Sequence, residues 1–192
     1  MIKINQTQIP NVITLVRFFL IIPVCWALLT NAYLSALIFF IIAGVSDGID
    51  GFLARSYHWE SRFGAITDPM ADKLLMISSY ACLAWLHLIP MWLFLIILLR
   101  DIWILSGVII YRVITNELDF EATRVSKINT LLQISLVAII LINISVYHVP
   151  EIVILLMIYL VLITTLSSLF DYTSVWGNKI IQHTKVRYDL SN

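Results

Sequence analysis

Six apolar runs, each close to twenty residues long, divide this chain almost from end to end, at about positions 10–30, 33–55, 70–88, 90–112, 128–147 and 150–174. A run of that length matches the roughly 20 residues a helix needs to cross the hydrocarbon core of a bilayer. In lipid every backbone N–H and C=O must find a partner within the protein, so the structures that can span are helices and closed barrels. The continuous apolar runs are read as spanning helices. The expectation is an all-α polytopic membrane protein, a bundle of six transmembrane helices forming a single domain over residues 1–192.

Composition agrees. Hydrophobic residues make up 60% of the 192 and charged residues 12%, where a soluble domain has about 25% charged. Six spans leave no room for a separate soluble domain. Formal net charge is zero, and no nucleic-acid partner is expected. The first run holds Arg17 and Pro23 and lacks a short apolar region followed by a small-residue cleavage site, so it reads as a retained span. Cys25 and Cys82 each sit inside an apolar run and read as small buried hydrophobes.

Charge placement gives an orientation. The short connections Thr30 to Tyr33, His87 to Pro90 and Tyr147 to Glu151 contain no Lys or Arg. Lys3, Arg55, Arg62, Lys73, Arg112, Arg124, Lys127, Lys179, Lys185 and Arg187 flank the other connections and the termini. The positive-inside rule puts these on the cytoplasmic side, and an even number of spans puts both termini there. Trp26, Trp59, Trp92, Tyr147 and Trp176 lie near the expected span ends, as interfacial aromatics do. His58, His87, His148 and His183 are scattered without ligand spacing and are assigned no chemistry. Arg17 is expected either to snorkel to the interface or to serve a site. Arg100 and Asp101 fall mid-run, and neighbours on a helix project about 100° apart, so they are expected to face different partners.

The stretch SDGIDGFLARSYHWESRFGAITDPMADKLL, Ser46 to Leu75, carries two pairs of aspartates. Asp47 and Asp50 are three apart and Asp68 and Asp72 four apart, so each pair shares a helix face. Four carboxylates gathered near a membrane interface repel one another unless cations or protons neutralise them. Oxygen donors without His or Cys favour hard ions such as Mg²⁺, Mn²⁺ or Ca²⁺ over zinc, and a pair of such ions suits displacement at phosphorus. Gly48, Gly51, Ala54 and Gly64 beside the acids leave room for a ligand or a close helix. Arg55 suits a phosphate through charge-assisted hydrogen bonds, or anchors the topology.

These residues resemble a known family. Asp50, Gly51, Ala54, Arg55, Gly64, Asp68 and Asp72 fit the CDP-alcohol phosphatidyltransferase signature D-G-x2-A-R-x8-G-x3-D-x3-D at every position, with the additional aspartate at Asp47. The opening IPNVITLVRFFLIIP and the later DPMADKLL are similar to phosphatidylglycerophosphate synthases and to cardiolipin synthases that use CDP-diacylglycerol. IPMWLFLIILLRDIWIL and RVSKINTLLQ resemble the cardiolipin branch, the other branch having Arg-Glu where this chain has Arg100-Asp101.

The resemblance implies a six-helix bundle, a homodimer embedded in membrane lipid, and a site open to the cytoplasmic leaflet. It implies that Asp47, Asp50, Asp68 and Asp72 ligate Mg²⁺ or Mn²⁺, that Asp72 is also the general base, and that Gly51, Ala54, Arg55 and Gly64 line the cytidine-diphosphate site. The implied donor is CDP-diacylglycerol, with phosphatidylglycerol or glycerol 3-phosphate as acceptor and CMP released. Either acceptor carries a phosphate, for which Arg100, Arg112, Arg124 and Lys127 are the available cations; topology signalling is the competing role for the last three. A divalent-cation transporter would also carry intramembrane acids, but it does not account for the interleaved Gly, Ala and Arg. An inactive structural partner does not account for an intact signature.

Overall fold

A computed structural model describes the backbone of residues 9–57, 62–115 and 123–189, and the side chains of residues 18–46, 70–109 and 123–175. Among the described residues there are six helices and no strand: α1 (Ile9–Leu29), α2 (Tyr33–Tyr57), α3 (Arg62–Trp85), α4 (Met91–Thr115), α5 (Arg124–Ser145) and α6 (Glu151–Asp189). All-helical architecture is thus as expected. Among the described residues, three stretches are long and apolar enough to cross a membrane: Met91–Ile109, Arg124–Ser145 and Glu151–Val175. Phe18–Leu29 and Tyr33–Ser46 are shorter apolar helical stretches.

The helices outrun the apolar runs. α3 begins at Arg62, eight residues before its run, and α6 continues to Asp189, fifteen beyond its own. A helix satisfies its backbone within itself, so it need not stop where lipid-compatible side chains do. At 1.5 Å per residue, α6 is roughly 58 Å long against a hydrocarbon core of about 30 Å. Pro23 lies inside α1, as membrane helices tolerate.

Two short connections are built by the same device. After α1, Asn31 takes φ 59°; its N–H donates to the Leu28 carbonyl (3.1 Å) and the Ala32 N–H to that of Ala27 (2.8 Å). After α3, His87 takes φ 58°; its N–H donates to Ala84 (3.1 Å) and that of Leu88 to Leu83 (2.9 Å). Both are Schellman caps, in which a left-handed residue lets the next N–H groups satisfy the last carbonyls of the helix. His87, to which the sequence assigned no chemistry, therefore has a structural position.

The helices form two compact units. The first comprises residues 1–91 and 137–151, with α1 packed on both α2 and α3. Its interior is apolar and often small: Val24, Ala27, Leu28, Ala36, Phe40, Ala43, Ala71, Leu75, Leu83 and Ala84 are buried. Small residues let helix backbones approach closely, which is how helices associate where no hydrophobic effect drives them together. Here the two cysteines depart from the expected reading: both are half-buried, on the last turns of α1 and α3.

The second unit comprises residues 92–136 and 152–192. Its outer surface is apolar, while half of its described buried side chains are polar. Between 22% and 33% of each long apolar stretch is buried, and Leu99, Trp103, Leu131 and Phe170 are exposed. Arg100, Asp101, Ser126, Asn129, Gln133, Thr165 and Ser168 are buried. Such an inverted distribution is unfavourable in water, where large exposed apolar patches are rare, and suits a lipid environment.

Candidate active site

The acidic signature lies on two consecutive helices. α2 carries Asp47, Asp50, Gly51, Ala54 and Arg55 in its last third, and α3 carries Gly64, Asp68 and Asp72 in its first half. Asp50 is seven residues from the end of α2 and Asp68 six from the start of α3. At 1.5 Å per residue, both lie roughly 10 Å from the connection joining the two helices. Chain order thus places both pairs towards the same end of the first unit. The side chains of Asp47, Asp50, Ala54, Arg55 and Asp68 and the surroundings of Gly51 and Gly64 lie outside the described residues, as does the side chain of Arg17. Asp72 is described: it is half-buried and engaged with a neighbouring group, as is Lys73.

The four cations expected for an acceptor phosphate are differently placed. Arg124 and Lys127 are exposed on the first turn of α5. Arg112 is on the last turn of α4, its side chain outside the described residues. Arg100 is buried, at 4% exposure. Its Nη1 donates to Asp101 Oδ1 (2.6 Å), and its Nη2 donates to Ser126 Oγ and Ser168 Oγ (each 2.6 Å). The guanidinium also stands 6.0 Å from the centre of the buried Tyr172 ring, at the outer limit of a cation–π contact.

This corrects the expectation that Arg100 and Asp101 face different partners. Their backbone positions do project apart, but the long arginine side chain curls round the helix and pairs with its neighbour. Both are buried, and a buried charge is strongly destabilising unless its partner is retained. The guanidinium joins α4, α5 and α6 through three acceptors.

A second polar contact ties α5 to α6. Asn129 is fully buried, and its Oδ1 accepts from Thr164 Oγ1 and Thr165 Oγ1 (each 2.9 Å). At the edge of the layer, Trp103 Nε1 donates to Thr173 Oγ1 (3.3 Å). The contributing residues recur at helical spacing: Ser126, Asn129 and Gln133 on α5, and Thr165, Ser168 and Tyr172 on α6. A polar stripe at 3.6-residue period within an apolar run was the signal available for the α6 residues, which the sequence reading passed over. Between α4 and α6 a cavity of about 270 Å³ is lined by Ile96, Leu99, Arg100, Trp103, Thr165, Leu166 and Leu169. That lining suits hydrocarbon better than phosphate.

Comparison with known proteins decides the family, because the CDP-alcohol phosphatidyltransferase model matches residues 7–172. The chain belongs to that family. It is 33% identical over 151 residues to a Drosophila melanogaster protein named "Probable cardiolipin synthase (CMP-forming)", covering 70% of this chain and 47% of the relative. To the Homo sapiens cardiolipin synthase (CMP-forming) it is 28% identical over 197 residues, 94% of this chain and 65% of the relative. To the Bacillus subtilis CDP-diacylglycerol–glycerol-3-phosphate 3-phosphatidyltransferase it is 33% identical over 151 residues, 71% and 77%. The chain therefore spans about half to two-thirds of the length of the two animal relatives. Membership gives the aspartates of α2 and α3 their context: both helices fall inside the matched region.

Proposed function

We propose that this protein transfers a phosphatidyl group from CDP-diacylglycerol to the hydroxyl of a glycerol-type acceptor and releases CMP. The observation that carries the reading is the unbroken signature on the adjoining ends of α2 and α3, within a chain that matches the family over residues 7–172. That single match takes in both compact units, which supports one catalytic domain. All six helices cross the membrane in this reading, with both termini and the aspartates on the cytoplasmic side and two copies forming a homodimer. Exposed Trp26, Trp92 and Tyr147 near helix ends and the basic connections support the topology.

The donor set fits a hard divalent ion: four carboxylates on consecutive helices, with no His or Cys among the signature residues. Asp47, Asp50, Asp68 and Asp72 would hold Mg²⁺ or Mn²⁺, which when bound supplies charge neutralisation for the diphosphate and the departing CMP. Gly51, Ala54 and Gly64 leave space for the cytidine diphosphate, and Arg55 binds its phosphate. Asp72 takes the proton of the acceptor hydroxyl, and that oxygen attacks the phosphatidyl phosphorus as the bond to CMP breaks. General-base assistance of this kind contributes about 10²–10⁴-fold.

We assign phosphatidylglycerol as the acceptor, supported by the Arg100-Asp101 pair and by the names of the animal relatives. Glycerol 3-phosphate is the second reading, favoured by the Bacillus subtilis relative, whose own length is the best covered of the three. Arg112, Arg124 and Lys127 are the cations available to the acceptor phosphate. Arg100, buried with both terminal nitrogens occupied, holds the helices that carry them.

The test is metal-dependent CMP release by purified protein from CDP-diacylglycerol, with each acceptor offered separately. Release with phosphatidylglycerol alone is expected, and release with glycerol 3-phosphate alone would reassign the acceptor. No release with either would overturn the reading. Asp72→Asn is expected to lower turnover by about 10²-fold or more, and unchanged turnover would remove Asp72 as the base.

A further inference from the structure

The cavity between α4 and α6 joins two kinds of lining. Leu99 and Trp103 of α4 and Leu166 of α6 are exposed around it, while Arg100 and Thr165, which also line it, are buried. Nη1 and Nη2 of Arg100 are bonded, and its Nε has no hydrogen-bond partner among the described residues. Bonds to α5 fix the level of the cavity. Arg100 Nη2 donates to Ser126 Oγ, and Ser126 stands between the exposed cations Arg124 and Lys127 on the first turn of α5. Thr165 bonds to Asn129, about one turn further along α5. α4 runs alongside α6, since Arg100 pairs with Ser168 and Trp103 with Thr173, so Ile96 lies about 6 Å beyond Arg100 in the same direction as Thr165. The cavity thus reaches from the level of two exposed cations into the apolar part of the span. Apolar walls with a few polar groups at one end are the usual make-up of a small-molecule site. Cations, an unpaired donor and an apolar trough, in that order, match the phosphate, ester oxygens and acyl chain of a phospholipid.

We propose that this cavity seats one acyl chain of the phospholipid acceptor, whose phosphate pairs with Arg124 and Lys127 and whose ester oxygens lie at the level of the Arg100 guanidinium. The inference rests on the phosphatidyl-transfer reading and gives its acceptor a binding site. Glycerol 3-phosphate carries the phosphate but has no chain to place in the cavity. CDP-diacylglycerol has chains, but its diphosphate belongs with the signature of α2 and α3, whereas the cations at the level of this cavity are on α5. An anionic headgroup is drawn to cations at the membrane surface, and in the topology proposed above the first turn of α5 is at the cytoplasmic surface. Leu99, Trp103 and Leu166, at the exposed rim, then select among acyl chains by the space they leave.

The experiment places the full-length protein in phosphatidylcholine vesicles doped with phosphatidylglycerol that carries a diazirine on one acyl chain. After irradiation, the labelled residues are mapped by mass spectrometry. The expected result is labelling that saturates with the probe, falls within residues 96–103 and 165–169, and is displaced by unlabelled phosphatidylglycerol but not by phosphatidylcholine. Leu166→Trp, which puts a larger side chain at the rim, should abolish that labelling and raise the KM for phosphatidylglycerol relative to that for CDP-diacylglycerol by about tenfold or more. Leu99→Trp, at the opposite wall, should act in the same direction. Leu156→Trp, at an exposed position of α6 outside the lining, should do neither. Labelling spread along the exposed apolar faces of the helices, or displaced equally by phosphatidylcholine, would mean surrounding bilayer lipid and overturn the proposal. A KM that rises for CDP-diacylglycerol instead would give the cavity to the donor and overturn it as well. Absence of CMP release with either acceptor defeats the phosphatidyl-transfer reading, whereas release accompanied by labelling elsewhere defeats this inference alone.

Discussion

The interiors of the two compact units are built from different materials. In the first, α1 rests on α2 and α3 through alanines and branched apolar side chains, with Ser79 the one polar residue besides tyrosine among its described buried positions. In the second, the described core includes an ion pair, two serines, a threonine and two carboxamides. Surrounded by lipid, the first arrangement gains by close van der Waals contact and tolerates little change of shape. The second gains by hydrogen bonds and tolerates little change of charge. The charged groups are distributed the opposite way: the apolar-cored unit carries the signature carboxylates towards one end, while the second unit uses its buried charge to join helices. A charged side chain inside a membrane protein is therefore not by itself a catalytic one; its partners decide.

That contrast can be broken by substitution. The largest effect is expected for Asp101→Asn, which leaves the Arg100 guanidinium buried without its counter-charge. It should destabilise the protein by about 3–5 kcal/mol in denaturant titration, whereas Arg100→Leu with Asp101→Leu together should recover most of that loss. Failure of the double variant to recover would show that Ser126 and Ser168 depend on the guanidinium more than their own backbone alternatives allow. In the first unit, Ala36→Leu adds volume at a fully buried position and should cost about 1–3 kcal/mol. Gly44→Ala, where the added Cβ meets nothing within 4 Å, should be harmless. Asn129→Val, which removes the acceptor for Thr164 and Thr165, should cost about 1 kcal/mol, with far-UV dichroism unchanged. The smallest effect falls outside both cores: His87→Gly relieves a left-handed residue at the α3 cap and should stabilise by about 0.5–1 kcal/mol, visible as a raised midpoint.

Much of the catalytic reading was legible in sequence because its signals are local. Asp47 with Asp50 and Asp68 with Asp72 are spaced within one helix, and the glycines, alanine and arginine of the signature lie in the same thirty residues. The apolar runs located all six helices, but not their ends, since hydropathy reports where lipid is tolerated rather than where backbone hydrogen bonding stops. Arg100 and Asp101 were misjudged for a related reason: helical geometry fixes the direction of Cα–Cβ bonds, not the path of a long flexible side chain.

The sequence by itself determined the helical, lipid-compatible character of the chain, the family signature and the order that brings both acidic pairs to one end of α2 and α3. Those properties follow from composition, from the 3.6-residue repeat and from chain connectivity, all of which act over short range. Tertiary structure alone decided that Arg100 bridges three helices, that Asn129 meets Thr164 and Thr165, and that His87 closes a helix. Each depends on which faces of separate helices pack together and at what level, and that is set by the joint fit of many side chains rather than by any segment of the chain.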